Sequence, residues 1–430
     1  REEATSVIYG LDADLIFLSL ASHKDNIYLL REESQINNKS EKNDSMYEPL
    51  NYVSIHDFKQ AINYKINSDI KRKQGNDEDD SSDEDDSDSF EIEVNEITEN
   101  SNTKPFIKND KTIEPDKKDR PKELNVPNFV DDFIFVCYLL GNDFLPHLPS
   151  IDIKIDGLNI LLNCYCDTYI KYKTNLLDVN SERETIINNV FFVEFIKLIS
   201  TYEVTHFKIY LPKYLEKLRF RTPQNADPLS VELWKFNNVT DRDDNFLGQG
   251  PNNEWKYKYY SRYFASDSNQ EEIINKACYK YLEGIAWTTK YYFNKCPSWN
   301  YQYPYNYCPF ISDISEYLRV SCINMNSFNF NKQSQEPTSI LSQLLALMPP
   351  QRNKLLPINY KKLITSSESL IIDMYPTRVT IDTMNKEQRF KCVPNLPTID
   401  IDRINNAIKN IELNPIEKER NQTQKPVVIR

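Results

Sequence analysis

One sequence feature most constrains the fold of this chain. It is an apolar, strand-like run that is followed by two aspartates separated by one residue. Residues 7–9 are typical of a buried β-strand, Asp12 and Asp14 come next, and the apolar run 15–22 continues as a helix. In an extended segment, residues two apart point to one face, so both carboxylates converge beyond the strand. The order strand, aspartate pair, helix predicts an α/β fold and half of a site for a hard divalent cation. A solvated turn is the alternative, because aspartates are common in turns.

A second apolar run, residues 128–140, ends at Gly141 and is followed by Asn142 and Asp143. Its mixed helical spacings predict a largely buried helix that stops at the glycine. On its own, Asp143 has the residue type of a helix-end turn. Together with Asp12 and Asp14 it completes three carboxylates, the oxygen ligands that Mg²⁺ or Mn²⁺ prefers.

The charge of the chain is concentrated in one segment. The net charge is −12, and residues 77–96 hold 12 acidic residues and no Lys or Arg. The rest of the chain carries as many acidic as basic residues, which is compatible with a local basic channel for a polyanion. The composition of residues 66–126 cannot bury enough apolar area to offset ordering entropy, so we predict a disordered acidic insertion there.

Apolar periodicity predicts the remaining elements. Short strands are expected at 27–30 and 52–55, with a helix capped by Asp57 after the second of them. The Asp-, Asn- and Pro-rich stretch 222–253 is predicted to be a linker. Further helices are expected at 158–172, 190–198, 271–293, 340–348 and 402–411.

Five aromatic residues alternate along a segment that prolines make irregular: Trp299, Tyr301, Tyr303, Tyr305 and Tyr307. One face of such an alternation can stack on unpaired nucleobases, which contributes about 1–3 kcal/mol per base and tolerates any sequence. Burial in the core is the alternative for each ring. Trp299 and Tyr301 are the candidates for stacking.

Three segments resemble the XRN family of 5′-to-3′ exoribonucleases, and they occur in the family's order. Residues 9–16 (YGLDADLI) match a segment of the family's nuclease core, and residues 141–149 (GNDFLPHLP) match a later, more specific one. Residues 299–313 (WNYQYPYNYCPFISD) are similar to the aromatic stretch YYPYHYAPF of the family's second conserved region.

The resemblance implies a domain organisation. Residues 1–65 would form part of a Rossmann-like nuclease core of the PIN and flap-nuclease type, which continues, helical, at 127–221. The acidic insertion 66–126 interrupts this core. After the linker, residues 254–430 would form the α-rich second conserved region, which in the family wraps the core and shapes its pocket.

The resemblance also implies hydrolysis of single-stranded RNA that carries a 5′-monophosphate. Asp12, Asp14 and Asp143 match acidic residues of the family's Mg²⁺ or Mn²⁺ site and are the expected catalytic residues. The family draws its other metal ligands and its 5′-phosphate pocket from sequence upstream of the YGLDADLI segment. We therefore expect this chain to need that segment, in cis or in trans, and to be inactive alone. The family stacks a Trp of its second region on RNA, and Tyr301 stands where the family often has a second Trp.

The eight cysteines are scattered without a CxxC pair, and the four histidines lack zinc-site spacing. Nuclear XRN proteins commonly carry a zinc-knuckle insert soon after the YGLDADLI segment, and no such cysteines follow residues 31–33 here. The sequence has no apolar run of 18 residues and no signal-peptide pattern. The resemblance is thus closer to the cytoplasmic RNA-decay type of the family, with the nucleus as the alternative location, and no membrane partner is expected.

Two other functions are compatible with the sequence. Flap-type DNA 5′-nucleases share the Asp-x-Asp and Gly-x-Asp patterns, and the YPYNYCPF block speaks against them. A non-catalytic RNA-binding or scaffold protein could keep the same fold, because the three motifs do not supply a complete set of acidic ligands.

Overall fold

A computed structural model describes most of the chain in seven stretches: residues 4–32, 50–75, 128–217, 227–240, 243–264, 269–330 and 336–422. Residues 76–126 of the predicted acidic insertion lie outside these stretches. The chain divides into two compact units. Unit 1 is Arg1–Glu203, Tyr292–Asn294 and Phe310–Asn326, and unit 2 is Val204–Tyr291, Lys295–Pro309 and Ser327–Arg430.

Helices outnumber strands among the described elements. In chain order these are β1 (Ser6–Tyr9), α1 (Ala13–Ala21), β2 (Ile27–Glu32), β3 (Leu50–Ser54), α2 (Ile55–Lys73), α3 (Val130–Tyr138), α4 (Gly157–Tyr172), β4 (Leu177–Val179), β5 (Thr185–Ile187), α5 (Asn189–Ser200), α6 (Glu203–Thr205), a π-helical turn (His206–Tyr210), α7 (Leu211–Lys217), α8 (Pro228–Asn237), α9 (Glu254–Tyr263), α10 (Gln270–Phe293), α11 (Ile311–Ser321), α12 (Ile340–Leu347), α13 (Ile358–Lys361), β6 (Ile381–Asp382), β7 (Val393–Pro394), α14 (Ile401–Ile408) and α15 (Pro415–Arg420). The predicted α/β class is confirmed. The nuclease-core fold type remains a prediction.

The sheet of unit 1 has the order β1-β2-β3, with β1 parallel to β2 and β3 antiparallel to β2. Helices α1 and α2 contact β2, and Ile27 and Leu29 of β2 are buried. The strand predicted at 7–9 is confirmed, but its predicted burial is wrong, because Val7 is 55% exposed and Tyr9 61% exposed. Among the described strands, β1 pairs with β2 alone and so lies at an edge of the sheet.

Helix α2 begins and ends at residues that the sequence pattern did not indicate. Ser54, not Asp57, is its N-cap, and the Ser54 hydroxyl accepts a hydrogen bond from the backbone N–H of Asp57 at 3.2 Å. The helix also runs to Lys73, past the predicted start of the insertion at residue 66. Buried Ile62, Ile66 and Ile70 explain the extension, since they continue one apolar stripe at a spacing of four.

Aromatic packing joins the helices of unit 1. Phe135 of α3 meets Phe192 of α5 edge to face, with ring centroids 5.9 Å apart, and both rings are buried. Helix α5 packs against both α4 and α11. The helices predicted near 128–140, 158–172 and 190–198 are confirmed. The apolar face of each helix packs against other buried side chains.

A buried carboxylate connects α3 to the segment that leads into β4. Asp132 is almost completely buried. It accepts hydrogen bonds from the Tyr165 hydroxyl and from the backbone N–H groups of Leu176 and Leu177, at 2.9 and 2.8 Å for the backbone pair. Three donors offset much of the cost of burying this group.

Unit 2 contains a similar buried carboxylate. Asp382 of β6 accepts hydrogen bonds from Arg262 at 2.9 Å, Tyr263 at 3.0 Å and Tyr307 at 2.7 Å. The rings of Tyr263 and Tyr307 stack with centroids 3.9 Å apart. Asp382 therefore connects the aromatic segment 299–309 to helix α9.

The predicted linker 222–253 contains helix α8. Asp227 caps it by accepting hydrogen bonds from the N–H groups of Leu229 and Ser230 at 3.0 Å, and Pro228 occupies the first turn. Both features favour helix initiation and were present in the sequence. None of the residues of α8 is buried, so its cap and first turn, and not burial of an apolar face, account for the helix.

The C-terminal part of unit 2 has a small core of its own around α12, α13 and α14. Leu345, Tyr360 and Ile404 are at its centre. The helices predicted at 271–293, 340–348 and 402–411 are confirmed within a few residues. None of the described helices is long and apolar enough to cross a bilayer.

The buried Asp132 gives the stability of unit 1 a predicted pH dependence. Burial raises the pKa of Asp132 from 3.8 to about 7, against the lowering effect of Tyr165 and the two backbone donors. Between these two values the folded chain keeps a proton that the unfolded chain has lost. The Asp132 contribution to the free energy of unfolding therefore falls as pH rises through this window, by up to about 1.4 kcal/mol per pH unit.

Urea unfolding at pH 5, 6 and 7 measures this contribution as the difference between wild type and Asp132→Asn. The variant loses that part of the pH slope, whereas exposed Asp57→Asn keeps it. Identical slopes in wild type and Asp132→Asn would contradict the assignment.

Candidate functional site

Asp12 and Asp14 lie at the junction of β1 and α1 in unit 1. Asp12 has extended backbone angles and is the N-cap of α1, where its carboxylate accepts a hydrogen bond from the Asp14 N–H at 3.2 Å. Asp14 belongs to the first helical turn. The two side chains are thus brought together by a strand-to-helix turn, not by the alternation of an extended segment. Acidic residues are favoured here by the unpaired N–H groups and dipole of the helix.

Asp143 lies in a loop that follows α3 and whose shape is fixed by its neighbours. Gly141 has a φ of +96°, and a Cβ there would lie 3.0 Å from the backbone nitrogen of His147. The Asn142 side chain accepts hydrogen bonds from the N–H groups of Phe144 and Leu145, both at 2.9 Å. This turn presents Asp143 at the surface.

The three predicted carboxylates share one electrostatic environment. Burial raises the pKa of Asp14, and the negative charges of Asp143 and Asp12 raise it further. A hydrogen bond from the Tyr292 hydroxyl to Asp14 Oδ1, at 3.0 Å, acts in the opposite direction. A divalent cation would relieve the repulsion among the three carboxylates.

The donor chemistry of this cluster fits a hard cation, but the donors are not arranged as a finished site. No group of three or more His, Cys, Asp or Glu side chains in the described part of the chain has an arrangement that could hold a metal ion. Mg²⁺ keeps several waters and uses one or two carboxylates in many sites. The metal role of Asp12, Asp14 and Asp143 therefore remains a prediction.

Tyr292 is a residue of this site that the sequence did not indicate. It lies near the end of α10 and belongs to unit 1. Its ring is buried and packs on Tyr138 with centroids 5.2 Å apart. A tyrosine in an apolar helix carries no sequence signal for a bond to an aspartate 278 positions earlier.

The second predicted group, the aromatic segment, lies in unit 2. Trp299 is 51% exposed. Tyr301 is half-buried: it stacks on Trp287 with centroids 5.0 Å apart and meets Phe330 edge to face. Burial raises the pKa of the Tyr301 hydroxyl. Of the two stacking candidates, Trp299 is the one that leaves its ring available to a base.

Trp287 holds the backbone next to Trp299. Its indole N–H contacts the carbonyl and the hydroxyl of Ser298, each at 3.2 Å. Its ring stacks on the rings of Tyr291 and Tyr301, with interplanar angles of 9° and 16°. Trp299 thus projects from a segment fixed by three stacked rings.

Sequence comparison matches two family descriptions to this chain. The description "Xrn1 helical domain" matches residues 123–226 and 235–429, and "XRN 5′-3′ exonuclease N-terminus" matches residues 1–33. The block 127–221, predicted as continued nuclease core, falls within the helical-domain match.

Curated relatives are similar over nearly the whole chain. The 5′-3′ exoribonuclease 2 of Arabidopsis thaliana and that of Gallus gallus are each 26% identical, over 94% and 96% of the chain, which covers 45% and 47% of their lengths. The 5′-3′ exoribonuclease 1 of Homo sapiens is 26% identical over 96% of the chain and 23% of its own length. The chain therefore spans less than half the length of these relatives. Equal identity to exoribonucleases 1 and 2 assigns it to neither branch.

Charge repulsion at the site predicts opposite effects of Asp143→Asn with and without metal. Neutralising Asp143 removes repulsion at Asp14, so the metal-free variant should unfold at a slightly higher temperature, by roughly 1–2 °C. The same change removes a predicted ligand, so millimolar Mn²⁺ should raise the Tm of wild type and not of the variant.

Thermal unfolding followed by circular dichroism, with and without Mn²⁺, checks both effects. Exposed Asp244→Asn is the matched control and should respond to Mn²⁺ as wild type does. Equal Mn²⁺ stabilisation of Asp143→Asn and wild type would contradict the metal role.

Proposed function

The chain belongs to the XRN family of 5′-3′ exonucleases, and from this premise we propose that it is part of a 5′-to-3′ exoribonuclease. The proposed substrate is single-stranded RNA with a 5′-monophosphate, and the proposed role is RNA decay in the cytoplasm. The main support for the proposal is that Asp12 and Asp143 lie near enough to Asp14 for their charges to raise its pKa. The Tyr292 hydroxyl also donates a hydrogen bond to Asp14.

Asp12, Asp14 and Asp143 would hold Mg²⁺ or Mn²⁺. When bound, such cations supply an activated water nucleophile and stabilise charge on the leaving oxygen. The chain's own part is to place the carboxylates: Asp12 is fixed by capping α1, Asp14 by Tyr292, and Asp143 by the Asn142 turn. Such fixed donors lower the cost of reorganisation during reaction.

The sheet of unit 1 supports a contribution from a further polypeptide segment, upstream in cis or supplied in trans. One face carries a row of exposed apolar side chains that the strand register places together: Val7, Tyr9, Tyr28, Leu50 and Tyr52. Among the described residues β1 pairs with β2 alone. An exposed apolar patch of this kind marks a binding surface. We propose that this segment covers the face and brings the remaining acidic ligands and the 5′-phosphate pocket.

Trp299 is the proposed stacking platform for RNA bases. Its ring is half exposed while the adjacent backbone is held by Trp287, so it would lose little freedom on binding. Stacking of this kind tolerates any base, as an exonuclease that degrades many sequences requires. Tyr301 would contribute indirectly, by its stack on Trp287.

Binding without catalysis is the second candidate function. The observation in its favour is that the described acidic residues do not form a finished metal cluster. A protein that holds RNA on Trp299 without cutting it would retain affinity and lack turnover, so rate measurements separate the two functions.

The protein expressed from its complete reading frame should degrade 5′-monophosphate RNA in the presence of Mg²⁺ and spare 5′-hydroxyl RNA. Asp143→Ala should slow this decay by about a thousandfold, because several kcal/mol of charge stabilisation are lost. Asp244→Ala is the control and should decay RNA at the wild-type rate. The 430-residue chain alone should be inactive.

Denaturing gels of end-labelled RNAs follow this decay, with a 5′-flap DNA as the competing substrate. Equal decay of both RNAs by wild type and Asp143→Ala would contradict the mechanism. Preference for the flap DNA would favour the DNA-nuclease alternative, and RNA degradation by the chain alone would refute the need for a further segment.

Trp299→Ala should weaken binding of a short oligo(U), by about 5- to 100-fold, through loss of one base stack. Trp299→Phe should keep most of the affinity, and Phe390→Ala, which removes an exposed ring of the same unit, should keep all of it. Fluorescence anisotropy of labelled oligo(U) gives the three affinities. Equal weakening by Trp299→Ala and Phe390→Ala would refute a specific platform.

A further inference from the structure

We propose that Tyr292 is a positioning residue for metal binding, acting through its hydrogen bond to Asp14. This inference rests on the proposed metal role of Asp14. It adds a residue that no motif of the chain contains, and the role of that residue is to fix the rotamer of one carboxylate before a cation arrives.

The bond has the geometry for this role. The Tyr292 hydroxyl donates to Asp14 Oδ1 at 3.0 Å, which occupies one acceptor direction on that oxygen and opposes rotation of the carboxylate. Hydrogen bonds from behind a ligand orient it and raise its affinity for metal. Asp14 is partly exposed, so packing alone does not hold its side chain in one rotamer.

The donor itself is held firmly. The ring of Tyr292 is buried against Tyr138. Two residues on, Asn294 exchanges a pair of hydrogen bonds with the backbone of Thr185, at 2.9 and 3.1 Å. Because the Tyr292 hydroxyl is held in place, it can fix the position of the Asp14 carboxylate. A mobile hydroxyl would instead move with the carboxylate.

Tyr138 provides an internal comparison. It is as buried as Tyr292 and touches it, yet its hydroxyl has no hydrogen-bond partner among the described residues. If buried tyrosine rings served only packing here, removing either hydroxyl would have the same effect. If Tyr292 positions Asp14, only its own hydroxyl matters for metal.

Mn²⁺ binding measured by electron paramagnetic resonance of the free ion tests this with Tyr292→Phe, Tyr138→Phe and Asp14→Ala, each in the protein expressed from its complete reading frame. Tyr292→Phe should bind Mn²⁺ about tenfold more weakly, Tyr138→Phe should bind as wild type, and Asp14→Ala should lose this class of site. Wild-type affinity in Tyr292→Phe, or equal weakening in Tyr138→Phe, overturns the positioning role alone. Wild-type affinity in Asp14→Ala overturns the proposed metal function as well.

A second measurement needs no loss of the hydroxyl and so guards against a misfolded variant. With 3-fluorotyrosine at position 292, the ¹⁹F resonance should shift on addition of Mg²⁺, several times more than with the label at position 138. No greater shift at 292 than at 138 overturns the proposal.

Discussion

The first turn of helix α1 is the constraint on which the site in unit 1 depends. Asp12 ends the strand and caps the helix, so the next acidic side chain, Asp14, is forced into the same small region. The loop after α3 brings Asp143 there, and its negative charge and that of Asp12 both act on Asp14. Such repulsion is tolerated because a helix N-terminus and a tyrosine hydroxyl face Asp14. A bound cation would relieve this repulsion, which is the physical basis of the proposed metal site.

The aromatic segment of unit 2 follows another physical principle. The Trp287 ring stacks on those of Tyr291 and Tyr301. Further along the segment, the Tyr307 hydroxyl donates a hydrogen bond to Asp382. Most aromatic residues of the segment therefore stabilise the fold. The half-exposed member of the segment, Trp299, is the one proposed to stack on RNA bases.

The parts of the fold with local causes were predictable from sequence. The β1-to-α1 junction, the helix before Gly141 and the long helix ending at Phe293 all follow from apolar spacing and helix-ending residues. Three details failed for physical reasons. The burial of β1 depends on which other segment covers the sheet. The N-cap of α2 depends on whether the side chain of Ser54 or of Asp57 reaches a backbone N–H group. Helix α8 forms from its cap without burying a side chain. The candidate site was likewise predictable only in part. Asp12, Asp14 and Asp143 each follow an apolar run. Tyr292 bonds to a residue far away in the chain, and its neighbours in the sequence do not indicate that its hydroxyl makes a hydrogen bond.

Anomalous diffraction from crystals grown with Mn²⁺ would show whether these carboxylates converge on a divalent cation. We expect an anomalous peak within about 2.0–2.3 Å of carboxylate oxygens from Asp12, Asp14 and Asp143, with Tyr292 still bonded to Asp14. A map with Mn²⁺ bound only elsewhere, and these three carboxylates in contact with protein and water alone, would contradict the proposed metal site.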